Sequence, residues 1–279
     1  MITPLFTTDN GDSAIEFTVA VVGRGAIGGP IIAALSAGAR PGARLAGVLV
    51  PEARAAHETD SLEVLLSKRP DLVIEAAGHE AAKAVAGPVI ASGADLLLFS
   101  VGALSHREFE AACRTATSGP SAGRLLISTG AIGGIDMLKS LAASATLRSV
   151  RLCSTTRPEP LVQPWMDAAR ADEIRAARQP ISVFTGTARE ASQCFPTIAN
   201  VAATVGLASL GLDHVEVEVR ADPAATGKRH EIEAISDETR CSFIVENVSS
   251  PTNTRTSAIT PYAALRLISD MIEPIVTGV

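Results

Sequence analysis

Phe17-Thr18-Val19-Ala20-Val21-Val22-Gly23-Arg24-Gly25-Ala26-Ile27-Gly28 runs from an apolar stretch into a glycine-rich turn and on into the Ala- and Ile-rich segment Ala26 to Ala37. An apolar run followed by Gly-x-Gly-x-x-Gly at the opening of a helix is the pattern of a strand–turn–helix unit that holds a dinucleotide. Each glycine has its own task there. Gly23 allows the tight turn, Gly25 lets backbone approach a pyrophosphate, and Gly28 permits close packing of helix on strand. Ala26 and Ile27 belong to the helix N-terminus, whose N–H groups face the phosphates. On this reading Gly23, Gly25, Ala26, Ile27 and Gly28 bind NAD or NADP.

Outward from this unit, the first half alternates apolar runs with helical stretches. Leu45 to Val50, Leu72 to Ala76, Leu96 to Val101 and Leu125 to Ser128 are continuous Val/Ile/Leu runs, as strands of a parallel sheet covered on both faces are. After about Ser128 the pattern changes. In His214 to Arg220, Val215, Val217 and Val219 alternate with polar residues, which predicts a half-solvated strand. Arg229 to Ile235 and Arg240 to Asn247 follow across turns, and the three together predict an antiparallel meander. Pro158 to Pro180 is a Pro-bounded insertion with the only tryptophan, Trp165, and a charged helix near Met166 to Arg178. A last helix is expected over Ser257 to Ile272, returning to pack on either half.

At 279 residues there is room for roughly two domains. Apolar residues are 47% and charged ones 19%, which excludes long disordered arms. The net charge of -6, with no basic block, argues against nucleic acid or an anionic membrane as partner. The four cysteines, Cys113, Cys153, Cys194 and Cys241, have no spacing that suits zinc or a redox pair, so no metal is expected and a reduced, cytoplasmic setting fits. The N-terminus has no Lys or Arg before Arg24 and carries Asp9, Asp12 and Glu16, unlike a signal peptide. Ala191 to Leu212 is uncharged and long enough to span a bilayer, but Gln193, Pro196 and Asn200 interrupt it, so burial inside protein is expected.

Ligands in open α/β sheets bind outside the carboxyl ends of the strands. There Ala77, Gly78 and His79 follow one strand, and His79 reads either as a cofactor contact or as an exposed helix-start histidine. The acidic residue that usually holds the ribose of NAD is missing from the second strand tip, where only Glu52 stands, shifted. Arg24 and Arg54 could instead meet the 2′-phosphate of NADP or be solvated charges, so the cofactor choice stays open. His230 shares a strand face with Ile232 and Ala234 and points inward, as either a core histidine or a proton-transfer group beside the cations Lys228 and Arg229. His57, His106 and His214 receive no role.

Several segments together carry a family likeness: Val73-Ile74-Glu75-Ala76-Ala77-Gly78-His79, Ser100-Val101-Gly102-Ala103, Gly130-Ala131-Ile132-Gly133-Gly134, Gly186-Thr187-Ala188-Arg189-Glu190, Phe195-Pro196, Asn200-Val201-Ala202-Ala203-Thr204 and Arg229-His230-Glu231. From about Thr18 to Ser269 the chain resembles the short two-domain L-aspartate dehydrogenases. The resemblance implies a Rossmann-type parallel-sheet domain, residues 1–128 with 251–279, and a second α+β domain with a mainly antiparallel sheet, residues 129–250, through which two copies pair as a homodimer. It implies NAD or NADP as cofactor and an amino acid or 2-oxo acid plus ammonia as substrates. Oxidation of L-aspartate by way of an imine then gives oxaloacetate and ammonia. In this likeness His230 is the acid/base residue, Ala131, Ile132 and Asn200 meet the cofactor, and Gly130, Lys228 and Ile198 meet the substrate. Four places depart from the family pattern: Thr197 and Ile198 stand for a basic residue and Asn, Lys228 for Asn, Arg157-Pro158-Glu159-Pro160 for Arg-Lys-Pro-Pro, and Ser128-Thr129-Gly130 for Pro-Ser-Gly. These leave two alternatives beside aspartate: a dehydrogenase or imine reductase for another amino acid, and a non-catalytic NAD(P)-binding protein.

Overall fold

The computed structural model describes residues 16–250 and 253–278. Asp9 and Asp12 at the amino end and Pro251 before the last helix lie outside the described residues. The opening stretch is strand β1 (Phe17–Val22), whose side chains alternate between two apolar clusters because both faces of the sheet are covered. After it come α1 (Gly28–Ser36), β2 (Ala43–Leu49), β3 (Glu58–Thr59), α2 (Leu62–Ser67), β4 (Leu72–Glu75), α3 (His79–Ala91), β5 (Asp95–Leu98), α4 (Arg107–Ala116) and β6 (Leu125–Ile127). The strands form one parallel sheet in the order β3-β2-β1-β4-β5-β6, the doubly wound Rossmann arrangement. The third apolar run is shorter than its sequence suggests. It leaves the sheet at Leu98, and Val101–Ser105 closes into a 3-10 turn against the second half of the chain.

That half contains α5 (Ile135–Ala143), β7 (Leu147–Thr156), α6 (Ala168–Ala176), β8 (Ile181–Thr187), α7 (Ala188–Cys194), α8 (Ala199–Leu207), β9 (Glu216–Ala221), β10 (Lys228–Ser236), β11 (Arg240–Asn247) and α9 (Thr260–Ile272). Thr187 and Glu190 start α7 with a capping box, each side chain bonding the other's backbone N–H. The five strands form a second sheet in the order β11-β10-β7-β9-β8, antiparallel except for the β7–β9 pair.

The expected three-strand meander is therefore corrected. β10 and β11 pair as a hairpin, but β7 lies between β9 and β10, and β9 pairs parallel to it. Alternation reveals which residues share a face and says nothing of which strand is the neighbour, so a strand some 60 residues earlier could not be seen in it. Nor is β9 half-solvated in the simple sense. Glu218 is buried, with its carboxylate held by Arg151 at 2.6 Å and by Arg220 at 3.0 Å.

The uncharged stretch breaks at Phe195 to Ile198 into α7 and α8, both part of the core. Among the described residues, no helix is long and apolar enough to cross a membrane. One apolar cluster runs from α3 and the first sheet through α8 and α7 to the second sheet, so the two sheets share a continuous core. A smaller cluster lies on the other face of the first sheet. There Ala264, Leu265 and Ile268 of α9 pack with Ile31 and Leu35 of α1. The Pro158 to Pro180 insertion is anchored through Trp165, which donates to Cys194 O at 3.2 Å and meets Phe195 edge-on.

A Cβ built on Gly28 would lie 2.1 Å from Gly23 O, and Gly23 itself has φ +91° with Ala76 O 2.9 Å from where its Cβ would be. A Cβ on Gly25 would meet nothing within 4 Å. Gly28→Ala should therefore lower stability by about 3 kcal/mol, the upper range for overpacking, while Gly25→Val should melt with the parent. Urea unfolding compares the two, and equal stability of Gly28→Ala and parent would contradict the close packing described.

Candidate functional site

The strand ends are organised by an acid. Glu75, the last residue of β4, is fully buried, and its carboxylate accepts from Ala77 N at 2.8 Å, Gly78 N at 2.9 Å, Ser100 Oγ at 2.9 Å and Ser100 N at 2.9 Å. Four donors satisfy a carboxylate that would otherwise be prohibitively costly to bury. They also lock the ends of β4 and β5 together. His79 opens α3 beside them, with Nε2 3.4 Å from Asn200 Oδ1, which accepts Gly102 N at 2.9 Å. Asn200, on α8, thus ties the second half of the chain to the strand ends.

The glycine turn stands next to this point, since Gly23 packs on Ala76 and Ala77. The open space over Gly25 in front of α1, between a closed Gly23 and a closed Gly28, is a cradle that a side chain would fill. These residues fit the pyrophosphate of a dinucleotide. At the tip of β2, Arg24 donates from Nη1 to both carboxylate oxygens of Glu58 at 2.7 Å, and Arg54 binds Glu52 at 2.7 Å. The Arg24 hydrogen bonds, aided by Arg54 N, hold the Glu58 carboxyl below its ordinary range. Both arginines considered for a 2′-phosphate are thus already on carboxylates.

Across from the strand ends a cavity of about 130 Å³ is lined by Ile27, Gly130, Ala131, Ile132, Asn200, Lys228 and His230, among others. The loop carrying Gly130 to Ile132 is fixed from three sides. Thr204 donates to Ser128 O at 3.3 Å, Asn247 donates to Ala131 O at 3.2 Å, and Gly134, at φ +76°, lies flat against the Phe243 ring. His230 is 3% exposed, and its Nδ1 is 2.9 Å from Ser154 Oγ on β7, the strand residue opposite it. That leaves Nε2 as the ring nitrogen without a protein partner among the described residues. Lys228, two residues back on the same face, donates to Thr197 O at 3.3 Å.

Burial, and then the Lys228 charge, push the His230 pKa down from 6.5 to about 4. The ring is neutral at pH 7. Burial also raises the thiols of all four cysteines, Cys113 to about 11, so none is a thiolate at neutral pH.

Of the residues singled out from sequence, Gly130, Ala131, Ile132, Asn200, Lys228 and His230 meet at this cavity. Ala77, Gly78 and His79 stand at the neighbouring strand end. Ile198 does not reach it. Expected at the substrate, it is 2% exposed and packs in the core, and the adjacent Thr197 lines the cavity in its place. Sequence reasoning missed Glu58 and Ser154, and it quoted Glu75 and Asn247 without a role. An acid ending the otherwise apolar Leu72–Glu75 was the available signal for Glu75, whereas Ser154 becomes visible only once β7 pairs with β10.

The sign of the His230 shift sets a pH dependence. Between pH 6.5 and 4 the unfolded chain binds a proton that the folded one refuses, so stability falls as pH falls, by about 1.4 kcal/mol per unit. Over the window the parent should lose about 3 kcal/mol more than His230→Asn. Urea unfolding at pH 7 and pH 4 measures this, and parallel losses in both proteins would refute the buried neutral ring.

Comparison with known proteins agrees with this geometry. A family model described as aspartate dehydrogenase, C-terminal, matches residues 136–271, and one for the NAD binding domain of homoserine dehydrogenase matches residues 23–120. The L-aspartate dehydrogenase of Ruegeria pomeroyi is 37% identical over 270 residues, covering 92% of this chain and 94% of that one. The L-aspartate dehydrogenase of Pseudomonas aeruginosa is 33% identical, over 90% and 96% of the two chains. The crystal structure of aspartate dehydrogenase from Thermotoga maritima has the same fold, with a TM-score of 0.74 at 24% identity over 93% of this chain and 98% of that one. Matched over nine-tenths of its length by such relatives at 33–37% identity, this chain belongs to the L-aspartate dehydrogenase family.

Proposed function

We propose that the chain is an NAD(P)-dependent L-aspartate dehydrogenase. L-Aspartate, NAD(P)+ and water give oxaloacetate, ammonium, NAD(P)H and a proton through an imine. The observation that carries this reading is His230, a buried neutral imidazole fixed by Ser154 in a cavity shared with the Gly130 to Ile132 loop. Residues 1–128 with 251–279 act as the cofactor half and 129–250 as the substrate half. Packing of α9 on α1 and the separate second sheet support that division.

Gly23, Gly25, Ala26, Ile27 and Gly28 would hold the pyrophosphate, with Ala77, Gly78 and His79 flanking it and Ala131, Ile132 and Asn200 on the nicotinamide side. A nicotinamide held there would supply the acceptor for the hydride of the substrate Cα. Gly130, Lys228 and Thr197 face the substrate, and the Lys228 ammonium attracts a carboxylate. His230 takes a proton from the water that attacks the imine carbon and returns it to the departing nitrogen. Burial keeps the ring in its base form at neutral pH, and Ser154 keeps it in one orientation. Because Arg24 and Arg54 are engaged by Glu58 and Glu52, a 2′-phosphate must compete for them, which supports NAD over NADP. The outer face of the second sheet, which carries the 55% exposed Ile244 among paired Arg and Glu residues, is the surface on which two copies pair.

Two variants test the assignment. Gly25→Val fills the open cradle and should weaken NADH binding by about tenfold or more, roughly 1.4 kcal/mol, with an unchanged melting temperature. His230→Asn should cut turnover by about 100-fold or more, the usual range for an acid/base group, while NADH affinity holds. Parental turnover in a folded His230→Asn protein would make His230 structural. Absence of NADH and NADPH binding by the parent would remove the oxidoreductase reading altogether.

A further inference from the structure

The cleft does not end at Lys228. Behind the wall formed by Pro196, Thr197 and Lys228, which also line the first cavity, lies a second one of about 810 Å³, several times the size of the first. Oxaloacetate and aspartate are four-carbon acids, and nothing in their chemistry uses this space. Its lining is part apolar and part polar and carries two cations, Lys228 and Arg157, against one carboxylate, Glu159, which is paired with Arg175 at 3.4 Å.

Strand register sets how far along the ladder these cations stand from the acid/base residue. His230 faces Ser154 across the β10–β7 pair, and Arg229 faces Thr155. At about 3.3 Å per residue, Lys228 is about 7 Å along the ladder from His230, and the level of Arg157 is about 10 Å along it. Arg157 Nε donates to Ala225 O at 2.8 Å, which holds the guanidinium in place. Its two terminal nitrogens have no protein acceptor among the described residues. A fixed guanidinium with a free fork suits a carboxylate.

We propose that the second cavity extends the substrate site and takes the far carboxylate of a 2-oxo dicarboxylate one or two methylenes longer than oxaloacetate. Lys228 stands at the neck and Arg157 at the far end. This inference rests on the dehydrogenase reading of His230. The reaction balances as the same reductive amination: the 2-oxo acid, ammonium, a proton and the hydride of the reduced nicotinamide give the amino acid and water. The C=O bond breaks, C–N and C–H bonds form, and the carbonyl oxygen leaves as water. Oxaloacetate also reacts, because it leaves Arg157 hydrated rather than buried and unpaired.

The test is reductive amination of oxaloacetate, 2-oxoglutarate and 2-oxoadipate with ammonia and NADH or NADPH, by the parent and by Arg157→Met. At least one longer acid should match or exceed oxaloacetate in kcat/KM. Arg157→Met should lower the ratio of the longer acid to oxaloacetate by about tenfold, as expected for one lost charge-assisted hydrogen-bond pair. A second readout does not depend on turnover. Trp165, the only tryptophan, meets Phe195, the residue before Pro196 of the shared wall. With saturating NAD+, 2-oxoadipate should change its emission in the parent and do so only at about tenfold higher concentration in Arg157→Met. Turnover of oxaloacetate without that of either longer acid, or an unchanged ratio in Arg157→Met, would overturn the extended site and leave the aspartate reading standing. If none of the three acids reacts with either cofactor, both readings fall.

Discussion

A carboxylate sealed from solvent holds the active end of this protein together. Glu75 ends the β4 strand inside the sheet, where an isolated charge would cost several kcal/mol, and it is tolerable only because the Ala77, Gly78 and Ser100 donors all converge on it. The dependence runs both ways. Those donors belong to the two loops that leave β4 and β5, so satisfying Glu75 requires that both loops take one shape. Gly23 packs against the first of them at Ala76 and Ala77, and Gly102, two residues after Ser100, presents its N–H to Asn200. Cofactor turn, strand ends and the α8 helix of the second half are positioned by one buried acid.

The second half is held to the first by a companion charge cluster. Arg189 on α7 is buried and donates to Asp213, to Glu110 on α4, and to the carbonyls of Leu104 and Ser105 at the end of the 3-10 turn. These bonds reach the same 3-10 turn from the side opposite Asn200. With the apolar core continuous between the sheets, the cleft is bordered by elements that cannot drift apart without breaking buried charge pairs. Rigid borders suit a reaction in which a ring nitrogen must keep its place against a reacting carbon.

Much of this was legible in the amino-acid order, and the limits of that legibility are physical. Val19 to Val22 and Leu72 to Ile74 read as doubly covered strands because their apolar runs are unbroken, and the glycine spacing located the turn. The inward face of His230 followed from period two. What alternation could not supply was strand adjacency. Ser154 meets His230 only because β7 inserts between β9 and β10, and Glu218 is buried only because Arg151 and Arg220 converge on it from that neighbouring strand and its own. Ile198 misled for a related reason: one residue of register separates the core face from the cavity face, and Thr197 took the cavity side. Glu58 escaped because its function is set by Arg24, 34 positions away in sequence.

The electrostatics of the His230 strand follow from the same packing. With Ser154 holding Nδ1 and apolar neighbours around it, the imidazole has no carboxylate to favour its charged form, and the Lys228 ammonium two residues away opposes protonation further. A ring held this way stays in its base form at neutral pH but takes a proton less readily than a free imidazole, and its imidazolium gives the proton up easily. That arrangement changes when an anion arrives. A substrate carboxylate seated on Lys228 screens its charge, and the part of the pKa depression owed to that charge is lifted while the part owed to burial stays. Proton affinity at His230 thus rises when a substrate is in place, as a group that must accept a proton from water and then give it up requires. A carboxylate drawn farther along the ladder toward Arg157 still passes Lys228, so the same coupling serves short and long acids alike.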